Sequence, residues 1–135
     1  MADIFTKEKR SKIMASIKGK NTGIEIKLLK GMKKAGIRDF KYQKKMLGNP
    51  DFVFEKEKIA VFCDGNFWHG YRFSKWGNKL NKFWFDKITN NIKRDKRVGR
   101  KLKKEGWIVI RIREHQINKS TEKCVAKIQK IRYKT

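Results

Sequence analysis

Acidic residues are scarce in this chain, 13 Asp and Glu against 37 Lys and Arg, so those that fall at patterned positions carry information. Asp51 follows Asn49-Pro50 at the head of a short Phe/Val-rich segment, and Asp64 closes a second such segment, Ile59–Cys63. If Lys56 and Glu57 form the turn between them, Glu55 faces Lys58 and Asp51 faces Phe62. Asp64 is then diagonal to Asp51 on the same face, with Cβ atoms roughly 7 Å apart. A loop one residue longer or shorter moves Asp64 to the other face. Two carboxylates at that separation suit a hard cation such as Mg²⁺, which keeps several waters and can activate one as a nucleophile. Glu25 stands three residues after Thr22, the spacing of a capping box. It serves either as the reciprocal partner of a helix start or as a third carboxylate reaching metal-bound water. His69 lies in Asp64-Gly65-Asn66-Phe67-Trp68-His69-Gly70, directly after the second segment. Its partner is suggested further on, where Phe85, Ile88, Ile92, Asp95, Gly99 and Leu102 step by threes and fours along one helix face. A carboxylate on an apolar face needs a partner. Asp95 therefore pairs with one of the many cations or orients His69 as an acid–base dyad.

The elements that must hold these groups follow from periodicity. Residues 6–18 mix Lys and Arg with Ile13, Met14 and Ile17 and predict a short basic helix. Ile24, Leu28, Leu29 and Met32 predict a second helix, stopping near Gly36. Asp51–Glu55 and Ile59–Cys63 form a hairpin, and residues 65–79 form an aromatic, glycine-containing loop. A long helix spans Asn81 to Lys104, with Gly106 as its stop. Trp107–Arg113 alternates as a strand whose Arg111 and Arg113 side is wet or faces phosphate. Ser120 caps a last helix that turns Val125, Ile128 and Ile131 inward. The order predicts an α/β fold, one domain with a mixed sheet flanked by helices. Residues 1–20 form a basic helix or arm, and residues 21–135 the domain proper.

A formal charge of +24 on 135 residues repels itself unless a polyanion is near. Double-stranded DNA or another nucleic acid is the natural counterpart. Phe67, Trp68, Trp76, Phe83 and Trp84, interleaved with cations, could stack on bases or wedge between them. No apolar run reaches membrane-span length, no signal-peptide core follows Met1, and a membrane surface ranks last among polyanions. With two cysteines, Cys63 and Cys124, there is no disulfide framework, which predicts a reducing cytoplasmic location.

Asp51-x12-Asp64-Gly-Asn66 resembles the PD-(D/E)xK nuclease pattern, with Asn66 where lysine is expected. Larger blocks carry a more specific likeness: Arg10–Met14, Asn21–Glu25, Gly48–Phe54, Val61–His69, Phe83-Trp84 through Lys87-Ile88 to Asn91, Arg94-Asp95 and Gly106-Trp107. Together they resemble the very short patch repair (Vsr) endonucleases over nearly the whole chain. The resemblance implies a restriction-endonuclease-like fold with Mg²⁺ on Asp51 and the main-chain carbonyl of Cys63, and Glu25 supporting a metal-bound water. His69, oriented by Asp95, would handle the proton. Phe67, Trp68 and Trp84 would insert from the major groove and Met14 from the minor groove. Arg10 and Lys12, beside Met14, would contact the backbone. The implied reaction is a nick 5′ to the thymine of a T:G mismatch, by a monomer working with mismatch-repair proteins. The sequence departs from the resemblance in two ways. The zinc ligands of the best-known members are replaced by Asn66, Tyr71 and Phe73, and neither Cys63, Cys124, His69 nor His115 completes a familiar site, which predicts no zinc. Asp64 replaces a second catalytic histidine and is a candidate metal ligand. Two other readings stay open: a site-specific endonuclease of a phage or mobile element, and a basic nucleic-acid-binding protein without catalysis.

Overall fold

The computed structural model describes residues 23–67 and 69–134. Its centre is a four-stranded sheet in the order β1 (Lys41–Tyr42), β2 (Phe52–Phe54), β3 (Ile59–Asp64), β4 (Ile108–Arg113). β1–β2 and β2–β3 are antiparallel, and β3–β4 is parallel. A parallel neighbour needs a long crossover, here α2 (Phe73–Trp76), a 3₁₀ turn (Gly77–Lys79) and α3 (Lys82–Lys104). α1 (Gly23–Lys34) precedes the sheet, and α4 (Glu114–Lys119) and α5 (Thr121–Arg132) follow it.

Every residue of β3 is buried, as expected of a strand covered on two faces. Leu28 and Met32 of α1, Ile117 of α4 and Val125 and Ile128 of α5 pack on Phe52, Phe54, Ile59, Val61, Ile110 and Ile112. On the other face, Val98 and Leu102 of α3 cover Ala60 and Phe62. The result is a three-layer single domain with a mixed sheet, of restriction-endonuclease-like architecture. Local signals set the helix ends. The Asn81 side chain accepts from Trp84 N–H at the start of α3, and Ser120 accepts from Lys123 N–H at the start of α5. Gly36 and Gly106 take positive φ just past α1 and α3, where a Cβ would be strained.

The hairpin pairs Phe54 with Ile59 and Phe52 with Val61, the register that the two-residue turn requires. Four elements went unforeseen: the two-residue β1, the one-turn α2 and the 3₁₀ turn inside the predicted loop, and α4. The basic helix predicted over residues 6–18 and the proposed boundary at residue 20 lie outside the described residues.

Candidate active site

The functional side chains gather at the C-terminal end of β3, on both of its sides. On the α1 side, the regular ladder would place Asp51 opposite Phe62. Instead the Asp51 N–H donates to the Val61 carbonyl at 2.9 Å, one residue short, as in a bulge. The chain bends there, and Asp51 Oδ2 accepts the N–H of Cys63 at 2.6 Å. Its carboxylate is also hydrogen-bonded to Glu25. Glu25 is only 3% exposed and accepts from Tyr42 Oη at 3.1 Å and Gln43 Nε2 at 3.2 Å. Burial, and then the hydrogen bond to Glu25, push Asp51 up to about 8 against the opposing pull of the Cys63 N–H. The Tyr42 hydroxyl is likewise pushed up to about 12, by burial and then by the charge of Glu25.

On the α3 side lies the second group. His69 Nδ1 is 2.6 Å from Asp95 Oδ2, so in the tautomer that donates from Nδ1 the imidazole keeps Nε2 as its proton acceptor. Burial opposes the charge of Asp95, but the hydrogen bond from His69, with Arg111 and Arg94 nearby, holds its carboxyl below the ordinary range. Gly70 explains the close approach of loop and helix. Its φ is +67°, and a Cβ there would sit 2.3 Å from Ile92 Cδ1 of α3. Only a glycine lets the backbone press against the helix one turn before Asp95.

Asp64 departs from its expected place beside Asp51. It is 1% exposed, and Arg111 Nη1 donates to its two oxygens at 3.1 and 3.3 Å. His69 Nδ1 is 3.7 Å away. The step at Asp51 is the cause: it turns that carboxylate to the α1 side while Asp64 keeps the α3 side that regular alternation gives it. Arg111 differs too, since its side of the strand was expected to face water or phosphate. It neutralises Asp64 instead, with its guanidinium 4.3 Å over the Phe62 ring. Arg113 reaches the His69 carbonyl at 3.4 Å and lies 5.5 Å over the Tyr71 ring.

Phe67 stacks on Trp76 at 5.6 Å and meets Trp84 edge-on at 6.0 Å. Phe83 is 63% exposed at the start of α3. Arg10, Lys12, Met14 and Trp68 lie outside the described residues. Asn66 and Tyr71, at positions where the resemblance would put zinc ligands, engage His115: its Nδ1 is 3.2 Å from Asn66 Oδ1, and its ring stacks on Tyr71 at 4.2 Å. The Asn66 N–H donates to Glu114 at 3.0 Å, and Phe73 packs edge-on against Trp76 at 5.2 Å. Among the described residues no group of three or more His, Cys, Asp and Glu could hold a metal ion.

The structure brings the predicted Glu25 and Asp51 together on one side and His69 and Asp95 on the other, and sets beside them Tyr42 and Gln43, which the sequence did not single out, and Arg111, which it had placed elsewhere. A two-residue strand has no periodicity to reveal Tyr42 or Gln43. Arg111 has Phe62 as its partner in β3 while Asp64 lies opposite Arg113, so strand pattern alone does not join it to that carboxylate.

A four-stranded mixed sheet flanked by helices, with buried Glu25 and Asp64 near one strand end, fits the architecture of a restriction-endonuclease-like nuclease. The chain belongs to the Vsr DNA mismatch endonuclease family, whose sequence pattern matches residues 2–75. It is 41% identical over 130 residues to the type II nicking enzyme V.NmeDIP of Neisseria meningitidis serogroup C, covering 94% of this chain and 88% of that one. It is 41% identical over 135 residues to the type II nicking enzyme V.HpaIIP of Haemophilus parainfluenzae, covering 97% and 96%. The DNA mismatch endonuclease Vsr of Escherichia coli strain K12 is 35% identical over 113 residues, 82% of this chain and 72% of that one. The protein is accordingly a DNA endonuclease of the nicking type, and DNA is its substrate. No helix among the described residues is long and apolar enough to cross a membrane.

Proposed function

We propose that the chain is a Mg²⁺-dependent endonuclease that nicks one strand of duplex DNA at a T:G mismatch, in repair of deaminated 5-methylcytosine. The observation that carries this reading is the 2.6 Å His69–Asp95 pair at the same strand end as the buried Glu25 and half-buried Asp51 carboxylates. A carboxylate pushed up to about 8 is one that favours either a proton or a cation beside it. A two-carboxylate set suits an ion that retains most of its waters, as Mg²⁺ does. Asp51 and the Cys63 main-chain carbonyl would hold the ion, with Glu25 on the water side. When bound, the ion stabilises the charge that builds on the phosphate. His69 takes the proton of the attacking water at Nε2, and Asp95 holds the ring in the tautomer that allows it. Phe67, Trp68 and Trp84 wedge into the duplex at the weak base pair, aided by Met14, while Arg10 and Lys12 grip the backbone without reading sequence. The enzyme acts as a monomer on chromosomal DNA in the cytoplasm, alongside mismatch-repair proteins.

Nicking of end-labelled duplexes, T:G mismatched against fully paired, with Mg²⁺ or EDTA, tests the proposal. Magnesium-dependent nicking confined to the mismatch is the expected result. The relatives named type II nicking enzymes favour a second reading, a nick at a fixed recognition sequence. Equal cleavage of paired and mismatched duplexes would decide for it.

A further inference from the structure

The Arg111–Asp64 pair has no part in the proton transfer or the cation site as described, yet it underlies the dyad. Asp64 is 1% exposed, a position where a carboxylate needs a partner, and Arg111 supplies one through Nη1, at 3.1 and 3.3 Å from its oxygens. The other arm of the same guanidinium turns to α3. Nη2 lies 3.5 Å from the Asp95 carbonyl and 3.8 Å from Asp95 Oδ1. The plane of the group rests over Phe62, 4.3 Å from the ring centroid, so it cannot swing away from Asp95 without losing that contact. Asp95 offers its other oxygen, Oδ2, to His69. A rigid fork therefore connects β3, where Asp64 sits, to the α3 residue that orients the imidazole. Such a link demands a guanidinium, because an ammonium is a point charge that cannot hold two separated acceptors in fixed geometry.

We propose that Arg111, anchored by Asp64, is a positioning residue of the nicking reaction, fixing the Asp95 carboxylate and through it the His69 ring. This rests on the proposed role of His69. Asp64 then acts as the anchor of Arg111 and not as a metal ligand, and the pair stands where the family resemblance implies a second histidine. A buried ion pair contributes little net stability compared with an apolar pair of similar volume, so its worth here lies in geometry. Loss of a residue that orients a reacting group typically costs about 10–100-fold.

The test is single-turnover nicking of the T:G duplex at saturating enzyme and Mg²⁺, with DNA affinity and thermal melting measured on each variant. Arg111→Lys keeps the charge on Asp64 and loses the fork. It is expected to melt within a few degrees of wild type and bind DNA equally, yet to nick about 10-fold more slowly. Arg111→Gln is expected to lose about 30-fold, but to cost less than about 3-fold when His69 is already Ala, because residues that act through one another are not additive. Should Arg111→Gln not fold, the neutral pair Asp64→Asn/Arg111→Gln replaces it, with the same criterion. A wild-type rate for Arg111→Lys overturns the inference, since a charge pair would then suffice. So does a full multiplicative loss in the His69→Ala background, which would place Arg111 on a separate path. If His69→Ala itself nicks at the wild-type rate, the proposed proton transfer falls and takes the inference with it.

Discussion

Asp51→Asn separates the energetics of the proposed cation site from its chemistry. Burial and Glu25 push the Asp51 carboxyl up to about 8 from an ordinary 3.8, so in the metal-free protein the folded state holds this proton more tightly than the unfolded chain. The stability it contributes is complete below about pH 4 and is lost as pH rises through 8. The slope between is about 1.4 kcal/mol per pH unit, flattening near 8, so between pH 5 and 8 the loss approaches roughly 3–4 kcal/mol. That is a large part of the ~5–15 kcal/mol of a typical domain. Asparagine keeps an oxygen to accept the Cys63 N–H, now 2.6 Å from Asp51 Oδ2, and offers an amide to Glu25, but it has no charge to desolvate. Urea unfolding in EDTA at pH 5, 6, 7 and 8, wild type against variant, cancels the background set by the +24 charge. The variant is expected to gain on the wild type by about 3 kcal/mol across that range, while losing Mg²⁺-supported nicking. Saturating Mg²⁺ should flatten the wild-type curve and leave the variant unchanged. Stability curves that run parallel from pH 5 to 8 would refute the reasoning, because Asp51 would then titrate alike in the folded and unfolded chains.

Three further outcomes follow from the same geometry. Asp95→Asn lets the amide offer its N–H to His69 Nδ1, now 2.6 Å from the carboxylate, and favours the wrong tautomer; single-turnover nicking is expected to fall by ~100-fold or more with DNA affinity unchanged. Gly70→Ala places a Cβ 2.3 Å from Ile92 Cδ1 at a φ of +67°; denaturant unfolding should register a loss of about 1–3 kcal/mol, and the nicking rate should drop more than the folded fraction does. Phe67→Ala removes a ring stacked on Trp76 at 5.6 Å and edge-on to Trp84; the rate ratio between mismatched and paired duplexes should shrink at least several-fold, read with two labelled substrates in one tube.

The parts of this fold that sequence made legible are those where one pattern dominates. The turn Lys56-Glu57 sets the hairpin register because strand period is two, and the pairing Phe54–Ile59 follows from it. Asp95 was conspicuous because an acid interrupts an apolar stripe, and the His69 contact gives that acid its partner. The stripe itself drifts: Ile88 and Leu102 are buried, but Val98 is buried beside them and Phe85 is 39% exposed. The placement of Asp64 relative to Asp51 was not legible, because a single backbone hydrogen bond to Val61 overrides alternation at the strand end. Arg111 was misplaced for a related reason. Alternation says that a residue leaves the core face, but it does not say whether water or a buried carboxylate meets it. In α4, Ile117 is the only apolar residue of Glu114–Lys119, too few to mark a helix before its neighbours are known.

The parallel pairing of β3 with β4 bears on the order in which the enzyme can become dangerous. Glu25, Asp51, Asp64, His69 and Asp95 all precede Gly106 in the chain, whereas Arg111 arrives only with β4. Until that strand is made and has closed the long crossover over α3, Asp64 has no counter-ion and the far side of β3 has no edge to pair with. Non-local parallel contacts of this kind form late, and a nascent chain folds as its segments emerge. A ribosome-bound or truncated product ending before residue 108 would thus carry every residue proposed for proton transfer and for the cation, and still lack β4. For a DNA-cutting enzyme, that ties assembly of the proposed site to synthesis of β4.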